Sequence, residues 1–316
     1  MKKINSILFA LAAILLLGSC NNQGLKKTKS GLTYKIISDG KNPVVKKGQF
    51  IKITFSQVLK DYTHKKKDSV MMSSDMGLPA YVPIDTAAQN NYSPVEIFHL
   101  LRKGDSAIIV LRADSIEKKS GQPLPAFLNK KDKIVLTLKV VDVFDNEDGV
   151  QKDRKLAQEG LHDKESKDIA DYLAKNNIQT TKTEKGTFVK IDNQGDGPAV
   201  DSGKQVSVIY TGKLFPSGKI FESNDSKEKP PIKFVVGTGK IIPGWDDGLR
   251  LFKKGGKGTL YIPAFLAYDA EMGPGRTPNE NLIFDVQVVD VTDAPAETPE
   301  NMRKMPPVRR PTPGGR

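Results

Sequence analysis

The ten residues Lys240-Ile-Ile-Pro-Gly-Trp-Asp-Asp-Gly-Leu249 constrain the fold more than any other stretch, because they carry the only tryptophan and read as one short helix set among strands. Pro243 fixes φ where a first helical turn can use it, and Asp246 and Asp247 bring negative charge to the positive end of the helix dipole. Pro231-Ile-Lys-Phe-Val-Val236 precedes the helix and Lys257-Gly-Thr-Leu-Tyr-Ile-Pro263 follows it, both with strand character. A tryptophan buries roughly 150–250 Å², so Trp245 belongs beneath the helix, against side chains from the flanking strands and loops. Tyr210, Phe221, Phe234, Ile241, Ile242, Tyr268 and Phe284 are the candidates. Spacing alone leaves two readings open: rings that fill the core of a small β domain, or rings that line an apolar pocket.

Motif order bears on that choice. Val206-Ser-Val-Ile-Tyr-Thr-Gly212, Gly218-Lys-Ile-Phe-Glu-Ser223, Ile242-Pro-Gly-Trp-Asp-Asp-Gly-Leu249, Ile262-Pro-Ala-Phe-Leu-Ala-Tyr268 and Asn281-Leu-Ile-Phe-Asp-Val286 follow one another along the chain. Together they resemble the FKBP-type peptidyl-prolyl cis-trans isomerases (immunophilins), over about Thr187 to Val291. The resemblance implies an antiparallel sheet curled around one short helix. It also implies that Trp245 forms the floor under a prolyl ring, with Tyr210, Phe221, Ile241, Ile242 and Phe284 as walls. By the same resemblance Ile242 offers its backbone N–H to the peptide carbonyl, and Tyr268 places a hydroxyl at the rim. Glu222 stands where the family usually has an aspartate, and is expected to accept from Tyr268 or to sit near the carbonyl. Ile232 replaces a frequent aromatic, and Arg276-Thr277 replaces an Ile-Pro pair that commonly overhangs the site.

The first half of the chain repeats the pattern of the second. Gly31-Leu-Thr-Tyr-Lys-Ile-Ile37 returns as Gly186-Thr-Phe-Val-Lys-Ile191, and Ile51-Lys-Ile-Thr-Phe55 as Val206-Ser-Val-Ile-Tyr210. Phe55, Pro94, Gly104 and Leu136 are separated by 39, 10 and 32 residues; Tyr210, Trp245, Gly255 and Phe284 by 35, 10 and 29. The expected fold is therefore α+β: two FKBP-like domains, each an antiparallel curled sheet around a short helix, joined by a helical linker. Ser93 and Glu96 at capping-box spacing, with Pro94 between them, mark the first domain's helix. Its site is eroded: Pro94 holds the tryptophan position, Phe55 the tyrosine position and Met72 the acidic position, and Leu111-Arg-Ala-Asp114 replaces the Ile-Pro…Ala-Tyr loop. Residues 31–149 are thus expected to keep the fold without the pocket, and residues 181–293 to carry both.

Between them, 150–180 has few β-branched residues, and Ile169, Tyr172, Leu173 and Asn176 recur at helical spacing. A helix is expected there, interrupted or restarted near Gly160 and ended by Asn176-Asn177. The segment 294–316 has six prolines and no periodicity, so a disordered basic tail is expected.

Met1-Lys-Lys and the apolar run Ile7 to Leu17 form a short export signal over 1–19. The run ends in Leu17-Gly-Ser-Cys20, which resembles a bacterial lipobox, so Cys20, the sole cysteine, is the expected lipidation site, with 20–30 as a flexible tether. That places the chain in the cell envelope, anchored to the membrane through lipid at Cys20 and facing the periplasm or the exterior. Net charge is +12. Asn21 to Val150 carries 21 Lys and Arg against 14 Asp and Glu, whereas Gln151 to Asp293 balances at 21 of each. No basic stripe interleaved with stacking aromatics points to nucleic acid. His64, His99 and His162 all lie outside 181–293, and no phosphate-cradling glycine loop or Cys/His metal spacing occurs, so the expectation is no cofactor and no metal. The expected partners are unfolded or proline-containing exported proteins. A holding chaperone without catalysis, or a structural accessory of an envelope complex, are the competing readings.

Overall fold

The computed structural model describes residues 24–60, 68–85, 91–226, 228–269, 271 and 277–295. The export signal at 1–19, Cys20, Arg276 and the tail from 296 onward lie outside the described residues. The chain divides into two compact units at Asp153/Arg154.

The first unit is a seven-stranded antiparallel sheet. Its strands are β1 (Lys26–Lys27), β2 (Thr33–Ile37), β3 (Phe50–Lys60), β4 (Ser69–Ser73), β5 (Ala80–Pro83), β6 (Ser106–Arg112) and β7 (Lys133–Phe144), in the order β1-β2-β6-β7-β3-β4 with β5 also on β3. Alternation explains the buried face: Ile51 and Ile53 of β3, Ala107, Ile109 and Leu111 of β6, and Ile134, Leu138 and Val140 of β7 all point into one core. A 3₁₀ helix, Pro94–Leu100, adds Ile97 and Phe98 to that core.

Four details here differ from the sequence expectations. Part of the expected tether is strand β1, because Thr28 and Gly31 close a tight hairpin: Thr28 N–H donates to Leu32 O at 3.0 Å and Gly31 N–H to Thr28 O at 3.0 Å, with Gly31 at φ +95°. Backbone pairing needs no apolar side chains, so the lysines hid it. Ser93 makes no side-chain cap; Glu96 instead accepts Tyr92 N–H at 2.6 Å and Ser30 Oγ at 2.8 Å, which moves the acidic anchor onto the hairpin side. The expected short helix is 3₁₀ rather than α. After β6 the chain forms a helix the sequence reading did not anticipate, α1 (Ala113–Ser120), ended by Gly121 at φ +68°.

Helix α2 (Glu147–Lys175) is continuous through Gly160. One exposed helical glycine costs about 1 kcal/mol. Against that cost stand ion pairs one turn apart, Lys164–Asp168 at 2.9 Å and Lys167–Asp171 at 2.6 Å, and the burial of Ile169 and Leu173 against Phe188, Tyr261 and Ile283. The helix starts earlier than expected because Asn146 Oδ1 caps Gly149 N–H at 3.0 Å. It ends at the expected asparagines, with Asn177 at φ +54° and Ile178 N–H returning to Leu173 O at 2.9 Å.

The second unit has seven strands: β8 (Thr181–Lys182), β9 (Phe188–Asn193), β10 (Lys204–Leu214), β11 (Ile220–Ser223), β12 (Ile232–Val235), β13 (Lys257–Ile262) and β14 (Leu282–Asp293). Their order, β8-β9-β13-β14-β10-β11 with β12 on β10, is that of the first sheet. The registers agree in detail. A bulge separates Lys52↔Asp142 from Ile53↔Val140 in one sheet, and Ser207↔Asp290 from Val208↔Val288 in the other. Gly104 N–H donates to Val140 O at 2.9 Å, and Gly255 N–H to Val288 O at 2.8 Å. Helix α3 (Pro243–Gly248) packs against the second sheet and sets the site.

Candidate active site

Helix α3 can press against β13 because its sheet-facing positions are glycines. A Cβ on Gly244 would stand 2.3 Å from Ile262 Cγ2, and one on Gly248 2.9 Å from Leu260 Cδ2. The helix is held at both flanks by its acids. Asp246 accepts Gly237 N–H at 2.9 Å, and Asp247 accepts the Thr183 hydroxyl. The two carboxylates read from the sequence as helix-dipole partners therefore also tie the helix to the β12 turn and to the β8 hairpin.

Pinned in this way, Trp245 lies 1% exposed under the helix. Tyr210 from β10 meets it edge-on at 5.1 Å and 84°, Phe284 from β14 edge-on at 5.3 Å and 87°, and Phe234 from β12 at 5.8 Å and 53°. Phe221 from β11 stands edge-on to Phe284 at 5.9 Å. Edge-to-face contacts put the positive edge of one ring against the negative face of the next. Gly212 makes this possible, since it pairs with both Phe284 and Glu222 and a Cβ there would approach Phe221 Cζ to 2.8 Å and Phe284 Cε1 to 2.9 Å.

Ile241, Ile242 and Tyr268 are half-buried and pack on the same cluster. Ile242 is the N-cap of α3: its carbonyl accepts Trp245 N–H at 3.0 Å, while its own N–H is given no acceptor among the described residues. All seven apolar and aromatic residues singled out for the site are therefore brought together. Glu222 joins them through Tyr210, whose hydroxyl bonds to its carboxylate. Burial, first, and then Glu222 and Tyr268 push the Tyr210 hydroxyl well above its ordinary value, so it stays a protonated donor.

Asn224, which the sequence reading missed, fixes the backbone under Tyr210. Its Oδ1 accepts Tyr210 N–H at 2.6 Å, and its Nδ2 donates to Val208 O at 3.1 Å and Pro230 O at 3.3 Å. The only signal was an Asx residue at the end of a strand. Asn281 was missed as well; its Oδ1 accepts Ala264 N–H at 2.9 Å, where the chain leaves β13 for the Tyr268 loop. Among the described residues no cluster of three or more His, Cys, Asp or Glu could hold a metal ion.

Residues 197–289 match the family model of the FKBP-type peptidyl-prolyl cis-trans isomerases. A "Probable FKBP-type peptidyl-prolyl cis-trans isomerase" of Haemophilus influenzae is 40% identical over 124 residues, 39% of this chain and 48% of that protein. Through its second domain the chain belongs to the FKBP-type peptidyl-prolyl cis-trans isomerase family. "FK506-binding protein 4" of Neurospora crassa is 40% identical over 112 residues, 35% of this chain and 23% of that protein. The chain thus spans between about a quarter and a half of these curated FKBP relatives. The solved structure of FkpA from Escherichia coli is 32% identical, covering 47% of this chain and 70% of that one, with a TM-score of 0.36.

Proposed function

We propose that the second domain catalyses cis-trans rotation about X–Pro bonds, and that the cluster around Trp245 is its active site. The observation that carries this reading is the set of Tyr210 and Phe284 edges meeting the Trp245 ring, closed by Phe221 over Gly212. The rotation barrier is about 18–20 kcal/mol because the planar peptide is resonance-stabilised and dipolar. Water solvates that planar form better than the twisted one, so a dry aromatic wall favours the twisted state. Lowering the barrier by about 4 kcal/mol gives ~10³-fold acceleration. In this reading Trp245 floors the prolyl ring, Tyr210, Phe221, Ile241, Ile242 and Phe284 wall it, the Ile242 N–H receives the peptide carbonyl, and Tyr268 stands at the rim. Glu222 acts by holding the Tyr210 hydroxyl in place. Catalysis is preorganised binding, with no covalent step. The test is turnover of a prolyl tetrapeptide by the full chain. Tyr210→Ala and Phe284→Ala are expected to depress kcat/KM severely while the domain stays folded; unchanged turnover in both would remove this cluster from the mechanism.

The first domain is, in the same proposal, a degenerate copy that keeps the fold and has lost the site. Val70, Met72 and Phe127 are 55%, 54% and 59% exposed, apolar side chains open to contact with extended clients. Delivering client prolines to a linked catalytic domain raises their effective concentration. The gain should appear in refolding of a proline-limited protein and vanish with tetrapeptides. For the whole chain we propose an envelope lipoprotein, lipidated at Cys20, that assists folding of exported proteins. Leu17-Gly-Ser-Cys20 after an apolar export core supports this. Cys20→Ser should release or misprocess the protein, and normal processing with retained membrane attachment would count against lipidation. The exposed apolar residues of the first domain also favour a second reading, a holding chaperone, which predicts aggregation suppression that survives Phe284→Ala.

A further inference from the structure

The segment that brings Tyr268 to the rim leaves β13 at Pro263 and folds into a compact turn, in which Leu266 N–H returns to Pro263 O and both Ala267 and Asp269 N–H to Ala264 O, each at 2.9 Å. Moving Ala264 or Phe265 therefore moves Tyr268. The first two amides of this turn end on side chains instead of on the sheet: Ala264 N–H donates to Asn281 Oδ1 at 2.9 Å, and Phe265 N–H to Glu165 Oε2 of α2 at 3.0 Å. Asn281 is itself held by α2, donating from Nδ2 to Glu165 O at 2.9 Å. One turn earlier on the helix, His162 stacks on the Phe265 ring at 4.4 Å. Glu165 is 3% exposed, and its Oε1 has no hydrogen-bond partner among the described residues.

We propose that Glu165 is a positioning residue for the isomerase site, holding the Tyr268 turn to α2 through the Phe265 amide. The proposal rests on the isomerase reading above. It makes a helix outside the family-matched segment part of the rim's support.

The same dock has a pH dependence with a definite sign. Burial pushes the Glu165 carboxyl up to about 7, against the Phe265 N–H, which lowers it. Asp269 of the turn and Asp168 of the helix add to the rise, Lys164 opposes it, and His162 is the other titratable group at the contact. Released into water the carboxyl would titrate near its ordinary 4.5. The docked turn thus holds the proton more firmly than the free turn, so docking is strongest below the ordinary value and weakens as pH rises, levelling off above about 7.

Two variants of the full chain test this, read by tetrapeptide turnover and by hydrogen exchange over 263–269. Glu165→Ala should raise KM about tenfold with kcat within about twofold, and speed exchange at the Phe265 amide. Glu165→Gln keeps an acceptor for that amide, so its KM should stay near wild type at low pH. It should lack the wild type's rise in KM, about threefold between about pH 5 and pH 7. Should Glu165→Ala fail to fold, the Glu165→Gln profile decides alone. Wild-type KM and exchange in Glu165→Ala, or a retained pH-dependent rise in Glu165→Gln, overturns the proposal. If the wild type shows no turnover while exchange at Phe265 responds to Glu165→Ala, the isomerase reading falls and the dock stands.

Discussion

The two domains share a backbone and differ in a handful of side chains, and the difference separates what makes this fold from what makes its site. Both have the same strand order, the same bulge next to Val140 and Val288, and the same left-handed glycine at Gly104 and Gly255. Both close the first hairpin with a threonine, Thr28 accepting Leu32 N–H at 3.2 Å and Thr183 accepting Thr187 N–H at 2.9 Å. Both tie that hairpin to the short helix through an acid: Asp247 directly to Thr183, and Glu96 through Ser30 to Thr28. The site residues, by contrast, change together. Register places Phe55 at the Tyr210 position, Leu136 at that of Phe284, Met72 at that of Glu222, and Gln57 at that of Gly212. The last exchange is the most telling, because a side chain at Gly212 is incompatible with Phe221 and Phe284 closing over the strand. Once those rings are lost, the glycine is no longer required.

The largest expected effect of breaking the contrast is at the floor. Trp245→Ala leaves a hole beneath α3 where Tyr210, Phe234 and Phe284 converge, and should cost roughly 3–5 kcal/mol, with turnover lost alongside; equilibrium denaturation of the full chain, followed by a probe in the second domain, measures it. A smaller loss is expected from Gly212→Gln, which gives the second domain the first domain's residue. Overpacking typically costs about 1–3 kcal/mol, and because the displaced rings are Phe221 and Phe284, turnover should fall at least about tenfold. Wild-type turnover in Gly212→Gln would show that the glycine does not set the site.

Tyr210→Phe makes the tyrosine position match Phe55 and removes only the hydroxyl bound to Glu222. The expected cost is about 1 kcal/mol in stability and a few-fold loss in kcat/KM, since the aromatic edge against Trp245 remains. The raised pKa of Tyr210 carries its own consequence. The folded state keeps the proton where the unfolded chain would release it, so this group's contribution to stability is complete below the ordinary tyrosine value and is lost progressively as pH rises from there through the raised folded value. Alkaline unfolding should therefore begin earlier in wild type than in Tyr210→Phe.

Strands, the short helix and the whole aromatic set were legible because each rests on local pattern. Alternation marked β3, β10 and β14, Pro243 marked the start of α3, and the single tryptophan had one place to go. What escaped were polar residues whose role depends on distant partners. Glu165 and Asn281 are 116 residues apart, yet bond to each other and to the same turn. Thr28 and Gly31 form a hairpin from a sequence that reads as a lysine-rich tether. Gly160 read as a break because propensity is local, whereas the packing of Ile169 and Leu173 that keeps the helix intact is not.

The smallest expected effect comes from exchanging a backbone device rather than a ring. In the second domain Asn224 holds Tyr210 by its amide, whereas in the first domain Ser74 holds Phe55, accepting Phe55 N–H at 2.9 Å and facing its carbonyl at 3.3 Å. A serine at 224 can still meet the Tyr210 backbone but cannot reach Val208 O and Pro230 O, which Asn224 Nδ2 also serves. Asn224→Ser should therefore cost about 1 kcal/mol and leave kcat/KM within a factor of a few, because no ring moves. Ser74→Asn in the first domain should be tolerated to a similar degree. A collapse of turnover in Asn224→Ser, with the domain still folded, would mean that the tether under Tyr210 belongs to the site and not to the shared backbone. The division between fold and chemistry drawn from the two domains would then have to be redrawn at that residue.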